Sequence, residues 1–485
     1  MRRRRWIGAA DRALMARVAR TDSVVLDDIL PALGRAANYG RLWFGVAGGL
    51  ALTRSRRGRR AALRGVAALG LASATVNILS KQLVGRRRPA IELAPLVRRL
   101  AVAPRTTSFP SGHSASAAAF ATGVVLESPL LGIPVAVLAA AVATSRVAVG
   151  AHYPSDVVAG LSIGVAAGLL TQSWWPRPPL DPASATVGEA PALPTGDGLV
   201  LVTNAAAGTG TDLTGLTERL PAAEIVRITP DANADVVGEF EKAAARCTVL
   251  GVAGGDGTVN AAAKVAARRG VPLLVVPGGT LNHFARDIGV ESVADAVAAV
   301  RAGTAVRVDL GLAGDEVFVN TASIGLYVDL VRFRERWQRK LGKWPAMALG
   351  LVHVLRHAEP RSVDVDGEPR RLWMLFAGNC RYRPTGFAPT HRARLDDGRL
   401  DVRMVDATVR FARTRIVLGA LTRTLRWSGA YQATSRSGIE MAGHDGPLGL
   451  SVDGEVTDGP RVVRLGKSSG GLTIYRPAGP ADRTG

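Results

Sequence analysis

Residues 173–198 read SWWPRPPLDPASATVGEAPALPTGDG, and the character of the chain changes across them. The stretch is rich in Pro, Ala and Gly, has no apolar periodicity, and reads as a semi-extended linker rather than packed structure. Upstream lie several long apolar runs and no glycine-rich nucleotide loop. Downstream lie glycine-rich loops and no run long enough to cross a bilayer. Trp174 and Trp175 fit the aromatic belt that marks where a chain leaves lipid. The expected division is a membrane domain over 1–172, a linker over 173–198, an α/β lobe over 199–310, a β-rich lobe over 311–478 and a tail over 479–485.

A composition of 47% hydrophobic and 21% charged residues suits a membrane domain joined to a globular one. The net charge of +21 is carried mostly by arginines at the edges of the apolar runs, where the positive-inside bias and anionic headgroups favour them. Nucleic-acid binding is not expected, because no DNA- or RNA-binding motif accompanies the charge. Cys247 and Cys380 are isolated, which is neither a disulfide framework nor a zinc site and suits a reducing compartment. The N-terminus begins MRRRRW but lacks the apolar region of a signal peptide. Its Trp6, Ile7, Leu14, Met15 and Val18 read either as one face of a helix lying on the membrane or as part of a frayed basic tail.

Apolar segments at 42–53, 61–80, 114–126, 130–144 and 157–171 make five crossings countable, although several are shorter than the roughly 20 residues a spanning helix needs. RSRRGRR at 54–60 is the densest basic loop and reads as cytosolic. Three polar motifs fall on the opposite face: KQLVGRRRP at 81–89, SFPSGHS at 108–114 and SRVAVGAHYPSD at 145–156. Lys81, Arg88 and Arg146 supply the positive charge and forked donors that suit a phosphoryl group. Ser111 and Gly112 ahead of a helix offer backbone N–H groups at its positive end. His152 is placed to attack phosphorus with Asp156 fixing its tautomer, and His113 to protonate the leaving alkoxide, with no metal needed. Taken singly, an arginine here reads as a snorkelling anchor and a histidine as a helix cap.

Together these residues complete the pattern Lys-x6-Arg-Pro, Pro-Ser-Gly-His and Ser-Arg-x5-His-x3-Asp, so residues 22–172 resemble the type 2 phosphatidic acid phosphatase family. The resemblance implies an all-α transmembrane helical bundle, a phosphohistidine on His152, and lipid phosphates or isoprenoid diphosphates as substrates. The Arg-rich loop 85–105 would then face outward against the charge rule. A sixth crossing or re-entrant helix within 22–40 would change the count and repair the position of MRRRR.

From Leu199 the texture becomes short apolar runs alternating with helical patterns. LVLVTN, CTVLGVAGGD and VPLLVVPGG each read as a buried parallel strand followed by a turn and helix. The turns are Thr203 to Gly208, Gly254-Gly255-Asp256-Gly257-Thr258 and Gly278-Gly279-Thr280-Leu281-Asn282, all at strand carboxyl ends where ligands bind. Glycines let backbone approach phosphate, and Asp256 offers a hard oxygen for the Mg²⁺ that travels with ATP. Thr258 and Thr280 read as donors to phosphate or ribose. After Asp309 the pattern reads as a mostly antiparallel lobe, interrupted by a helix at 343–357. Glu455 beside a DG turn reads either as a general base or as a solvated hairpin residue.

GGDGT, PGGTLNHFARDIG, NTASIGL and VDGE together resemble the diacylglycerol kinase catalytic family, which includes sphingosine-type lipid kinases, over residues 199–476. By that resemblance Asn204, Thr229, Gly254, Gly255, Asp256, Gly257, Thr258, Asn260 and Thr280 line the ATP site, and Glu455 is the catalytic base. LDDGRL at 395–400 resembles the family's structural magnesium loop, with Asp397 and the backbone oxygens of Arg394 and Arg399 as ligands. The family's usual proline after Asn204 is Ala205 here. The arginines and lysines from Arg332 to Lys343, with Phe333, Trp337 and Trp344 among them, read as an anionic membrane contact or a solvated helix face.

The expected protein is a multi-pass enzyme of the cell membrane, with lipid substrates for both halves. A phosphatase site needing no cofactor faces outward, and a two-lobed lipid kinase using ATP and Mg²⁺ faces the cytosol. Two alternatives remain open at this stage: a polyprenyl diphosphate phosphatase fused to an NAD kinase-like domain, which shares GGDGT, and a non-catalytic membrane scaffold.

Overall fold

Alanine- and leucine-rich runs favour helix, and the described part of the first 177 residues is almost entirely helical. The structure, a computed structural model, describes residues 2–53, 55–80, 85–90, 95–99, 106–176, 181–204, 213–228, 235–279, 282–383, 391–422 and 424–478. It divides into two compact units, Met1–Arg177 and Pro178–Gly485.

In the first unit the main helices are Arg2–Ala19, Leu30–Ala36, Arg41–Leu52, Arg56–Ala74, Gly112–Glu127, Pro129–Ala148 and Pro154–Trp174. Ser55, Ser111 and Ser128 cap three of them by accepting from the backbone N–H groups of Gly58, Ser114 and Leu131. Prolines open the last two, where a missing N–H costs nothing. Gly112–Glu127 is central, with Ala115, Ala117, Ala119, Phe120 and Val124 fully buried. Gly160, Gly164 and Gly168 line one face of the last helix, and a Cβ on Gly164 would stand 2.3 Å from the Ala115 carbonyl oxygen. That stripe allows the close helix approach that membrane bundles use.

Among the described residues three helical stretches are long and apolar enough to cross a membrane: Arg57–Ile78, which runs from the Arg56–Ala74 helix into the π turn Thr75–Ser80, Pro129–Ala148 and Pro154–Trp174. The segments at 114–126 and 42–53 form shorter helices of 16 and 12 residues. The 22–40 region forms a five-residue π turn, Val25–Ile29, and a seven-residue helix, Leu30–Ala36, too short for a sixth crossing. It packs instead on the Pro129–Ala148 helix. Residues Arg2–Ala19 form a helix whose Met15 and Asp11 are buried against the same unit while Leu14 is exposed; the side chains of Trp6 and Ile7 lie outside the described residues. At the far end Glu127 pairs with Arg60 and Arg64, and both guanidinium groups lie over the Trp175 ring at 4.6 and 5.3 Å.

The second unit is organised by one mixed sheet. Strands Leu199–Asn204, Glu224–Ile228, Val249–Gly254 and Leu273–Pro277 are parallel and nearly continuous in Val, Leu and Ile, as strands covered on both faces are. The remaining strands are mostly antiparallel. The Val462–Tyr475 strand joins the two parts, pairing with Ile439–Gly443 at one end and with Thr304–Ala313 and Leu273 at the other. Leu472, Ile474 and Tyr475 therefore sit in the core of the nucleotide-type lobe, although the sequence reading assigns them to the β-rich one.

The expected unpacked linker is also corrected. Thr186–Glu189 is a strand paired with Thr304–Ala313, Ala183 is buried, and Leu193 donates its N–H to the Val300 carbonyl. A free sheet edge attracts any segment that can extend, and its backbone bonds outweigh the low apolar content of the stretch. The helix at Lys343–His357 is as read, and the Arg332–Lys343 stretch offered as a solvated helix face falls largely in a helix, Leu326–Leu341, whereas Ala412–Thr422 is a helix that the strand-rich reading misses.

Candidate active sites

At one end of the first unit, loops 85–90 and 106–111 and the turn 149–153 bring a set of cations together. His152 is buried, and its Nδ1 lies 2.7 Å from the Ser108 carbonyl oxygen. A carbonyl only accepts, so Nδ1 carries the proton and Nε2 keeps its lone pair. Arg88 donates from Nη1 toward that Nε2 at 3.3 Å and to the Ala151 carbonyl at 2.7 Å. Burial first, and then Arg88, Arg146 and His113, push the His152 pKa down to about 3, so the ring is neutral near pH 7. Arg146 is 4% exposed, and its Nη2 has no hydrogen-bond partner among the described residues. Its guanidinium lies against bare backbone, for a Cβ on Gly34 would stand 1.8 Å from Nη2. A buried cation with an unmade bond is costly unless an anion completes it.

Asp156 is fully buried but does not hold the His152 ring, from which its nearest oxygen is 4.0 Å away. It accepts instead from Arg86 at 2.6 Å, from the Tyr153 N–H at 3.0 Å and from the Ser108 hydroxyl. The spacing brings this carboxylate next to His152, but its bonds go to the Ser108 segment whose carbonyl meets the ring rather than to the ring itself. Ser111 caps the Gly112–Glu127 helix, and its own N–H is committed to the Asp156 carbonyl. Lys81 lies outside the described residues.

Three participants escape the sequence reading. Asn38 places Oδ1 2.8 Å from His113 Nε2, at the first turn of the Gly112–Glu127 helix. Asp11, 3% exposed, accepts from Arg86 at 2.7 Å and from the Ser155 N–H and hydroxyl at 2.9 and 2.7 Å. Arg98, 1% exposed, donates to Asp27 at 2.6 Å and to the carbonyls of Val18 and Thr21 at 2.9 and 2.5 Å. A buried acid in an N-terminal helix was the available signal for Asp11, but nothing local names its partner.

In the second unit, Gly254 ends one strand and Asp256 begins the Asp256–Arg269 helix. A Cβ on Gly279 would stand 2.5 Å from the Gly255 Cα, so the two glycine turns meet with no room for side chains. Asp256 accepts from the His283 N–H at 2.8 Å through one oxygen. Asn260 Oδ1 and Asn282 Nδ2 are buried without partners among the described residues. Thr258 borders Gly254, whose Cβ would stand 2.9 Å from the Thr258 Cβ. Bare backbone, a carboxylate and two orphaned buried polar atoms fit a phosphate-bearing nucleotide and its cation. Asn204 ends its strand; its side chain, residues 205–212, Thr229 and Thr280 lie outside the described residues.

Glu455 Oε1 stands 3.8 Å from where a Gly257 Cβ would be, which brings the two sequence motifs to one place. Its hairpin closes Val452 against Glu455 through Asp453 and Gly454, both at positive φ, as a two-residue primed turn requires. Asp453, which the sequence reading leaves as a turn residue, accepts from the N–H groups of Val319, Asn320 and Thr321 at 2.8, 2.8 and 2.7 Å. Burial raises its pKa to about 6 against those three bonds. Arg392, 2% exposed, ties the β-rich part to Asp287 at 2.7 Å and to the Val319 carbonyl at 2.7 Å.

The structural magnesium loop is not presented to a cation. Asp397 accepts from the Arg381 N–H, the Arg381 guanidinium and the Arg399 N–H, and the Arg399 carbonyl accepts from Cys380. Ser184 donates to the Ala393 carbonyl beside Arg394. Ligand atoms of Asp309, Cys380 and Asp397 do lie within 4.8 Å of one another, but the Lys467 ammonium stands 3.3 Å from both Asp309 and the Cys380 sulfur and supplies the positive charge there.

A family model described as the PAP2 superfamily matches residues 61–179, and one described as the diacylglycerol kinase catalytic domain matches residues 198–313. Among curated proteins, the chain is 32% identical over 263 residues to "Probable lipid kinase YegS-like" of Pseudomonas aeruginosa, covering 52% of this chain and 85% of the relative. It is 34% identical over 135 residues to "Decaprenylphosphoryl-5-phosphoribose phosphatase" of Mycobacterium tuberculosis, covering 28% of this chain and 71% of the relative. Among solved structures, a diacylglycerol kinase from Bacillus anthracis aligns at 23% identity with a TM-score of 0.44, over 59% of this chain and 98% of that one.

Proposed function

The chain is a fusion of a PAP2 superfamily domain with a diacylglycerol kinase catalytic domain, and it belongs over its second half to the YegS-like lipid kinases; from that premise we propose that one protein both removes phosphate from a membrane lipid and adds it to one. The observation that carries the first activity is the His152 tautomer. With Nδ1–H given to Ser108, Nε2 keeps its lone pair for attack on phosphorus once a phosphoryl group takes over the Arg88 donor now 3.3 Å from it. The Arg146 Nη2, which lacks a partner among the described residues, stands ready for the same anion. An N–P bond forms as the P–O bond to the lipid breaks, and His113 gives its proton to the leaving alkoxide. Water then attacks the phosphohistidine, releasing orthophosphate and restoring the ring. The substrate is a lipid phosphate, either of phosphatidic acid type or polyprenyl-linked, as in the name of the mycobacterial relative.

For the kinase, the glycine turns at 254–257 and 278–279 would cradle the phosphates of ATP, with Asn260 and Asn282 completing their bonds on bound nucleotide. Mg²⁺ travelling with ATP would shield phosphate charge, held through the second oxygen of Asp256. Glu455 would take the proton of a lipid hydroxyl of diacylglycerol type as its oxygen attacks the γ-phosphorus.

One helix supports a membrane topology. Pro154–Trp174 starts at the phosphatase residues and ends at the aromatic residues beyond which the kinase sequence begins. Its 21 residues rise about 31 Å, the thickness of the hydrocarbon layer. ATP is cytosolic, so the chain leaves the bilayer inside and the phosphatase site opens outside. The test is full-length protein in detergent, with phosphate release from lipid phosphates and labelled-ATP transfer to diacylglycerol or to NAD measured side by side. His152→Ala should abolish only the first activity and Asp256→Ala only the second. Both activities surviving both substitutions would favour a scaffold, and label on NAD alone would replace the lipid kinase assignment.

A further inference from the structure

Exposed apolar side chains in the second unit concentrate on its helices. Trp337, Leu349, Val352, Phe411, Leu418 and Trp427 are all exposed, Phe411 to 66% and Trp427 to 70%. They come from Leu326–Leu341, Lys343–His357, Ala412–Thr422 and the 3-10 turn Leu425–Trp427. These elements are neighbours. Phe333 stacks on His353 at 4.9 Å, Arg413 donates to the carbonyls of Leu355 and Arg356 at 3.1 and 3.2 Å, and a Cβ on Gly419 would stand 3.0 Å from the Leu425 Cα. Phe411 also has φ +58, a conformation that bulky residues avoid. The left-handed turn is kept although it leaves the ring largely exposed.

The charge on this surface is predominantly positive, with Asp329 and Glu335 on its Leu326–Leu341 edge. Residues 339–358 and 409–428 contain nine arginines and lysines and no aspartate or glutamate. A second copy of the same surface would bring those like charges together. An anionic bilayer instead neutralises them while accepting the aromatic and aliphatic side chains. The same chain carries helices of membrane length, so a bilayer is always present at high effective concentration.

We propose that this helical surface docks the kinase unit on the anionic headgroup layer, with Phe411, Leu418 and Trp427 entering the acyl boundary and the arginines around them on lipid phosphates. The stretch from Arg332 to Lys343, which the sequence suggests for this role, is partly used within the protein: Arg332 pairs with Asp458 at 2.5 Å and Arg334 with Glu335 at 3.1 Å. The centre of the contact lies further along, at 345–357 and 410–427. Docking holds whichever lipid is phosphorylated, so its failure is separable from failure of the kinase assignment.

The experiment uses full-length protein carrying Phe411→Cys in a Cys247→Ser background, labelled with an environment-sensitive fluorophore and reconstituted in nanodiscs. Cys380 is buried and stays unlabelled. In phosphatidylglycerol-containing discs the probe should brighten and be quenched by lipids brominated near the headgroup, and high salt should weaken both effects. Arg415→Glu with Arg426→Glu should lower the docked-to-free ratio at least ~10-fold. Phosphate release by the same preparation, and kinase turnover on a short-chain soluble diacylglycerol, should be unchanged and report intact folding. A probe signal identical in anionic discs, phosphatidylcholine discs and detergent overturns the proposal. So does a signal that rises with protein concentration in detergent, which would assign the surface to a second copy.

Discussion

Asp453→Ala is the sharpest perturbation of the kinase site, because it leaves Glu455 and every nucleotide-facing residue in place. The Asp453 carboxylate closes three backbone N–H groups of residues 319–321, two through Oδ1 and one through Oδ2. Bonds to a charged acceptor are worth about 1.5–3 kcal/mol each, and an orphaned buried N–H costs a similar amount. Asp453 is half-buried, so water recovers part of the loss; alanine at φ +50 adds about 1 kcal/mol of backbone strain. The expected local destabilisation is about 3–5 kcal/mol, enough to free the hairpin from strand Thr321–Gly325. Glu455 follows directly after Gly454, and a displacement of about 1 Å at a reacting group can cost a factor of about 100. Kinase turnover should therefore fall roughly 100-fold. Asp453→Asn, which keeps the Oδ1 bonds and tolerates the left-handed turn, should fall less. The phosphatase activity of the same molecules is the internal control and should not change. A kinase rate within about twofold of the parent in Asp453→Ala would refute the view that this carboxylate positions the base.

Asn38→Ala should lower phosphatase kcat about 10-fold or more, with little change in KM and a shifted basic limb of the pH profile. Asn38→Asp should move that limb upward, because a carboxylate holds the His113 proton more tightly; equal profiles for all three proteins would assign Asn38 to packing alone. Asp11→Ala removes a buried partner of Arg86 and the bonds to Ser155, at a cost of about 2–4 kcal/mol. Limited proteolysis should then cut within residues 2–19, and phosphate release should drop while kinase turnover holds. The His152 pKa is depressed from 6.5 to about 3, so kcat/KM corrected for substrate ionisation should show no acid limb from this ring near pH 6.5. The unfolded chain binds that proton below 6.5 and the folded one does not until about 3, so stability is full above 6.5 and is lost as pH falls through that window. The loss is on the order of 4 kcal/mol by pH 3. In His152→Ala the acid-side slope of stability should shrink accordingly, measured by thermal unfolding.

What the sequence made legible was whatever is local or motif-bound. The glycine turns sit at strand ends because each strand, turn and helix follows in order, and the Lys343–His357 helix announces itself by its apolar run. The Asp453-Gly454 turn is likewise written in two adjacent residues. What could not be read were pairings between distant residues with no periodic signal, such as Asp11 with Arg86, Asp27 with Arg98 and Asn38 with His113. The site geometry depends on them, yet Asp11, Asp27 and Asn38 are single acid or amide residues with no motif to tie them to their partners. The Thr186–Glu189 strand was hidden for a different reason: four residues among prolines have no intrinsic preference, and the open edge of Thr304–Ala313 decides their conformation. Ser108 lay inside a quoted motif, but that its carbonyl rather than Asp156 fixes the His152 tautomer is a matter of backbone placement.

The same pairings account for three of the arginines of loop 85–105. Arg86 and Arg98 are spent on Asp11, Asp27 and Asp156, and Arg88 on carbonyls and the His152 ring, so they serve the folded site rather than the membrane surface. Under the proposed topology, with the phosphatase site outside and the kinase inside, the two opposed reactions would acquire a direction. On one lipid at one face they would sum to ATP hydrolysis and nothing else. Across a bilayer, removal of the headgroup charge lowers the barrier to flipping, since a charge in the hydrocarbon costs several kcal/mol. Phosphorylation at the inner face then restores the charge and traps the lipid there. Oriented proteoliposomes loaded with ATP and given labelled phosphatidic acid outside should accumulate labelled lipid phosphate in the inner leaflet. Asp256→Ala should leave the label as uncharged lipid, and His152→Ala should leave it outside as phosphate. Inner-leaflet label at equal levels in both variants and the parent would show that the two activities do not share a lipid.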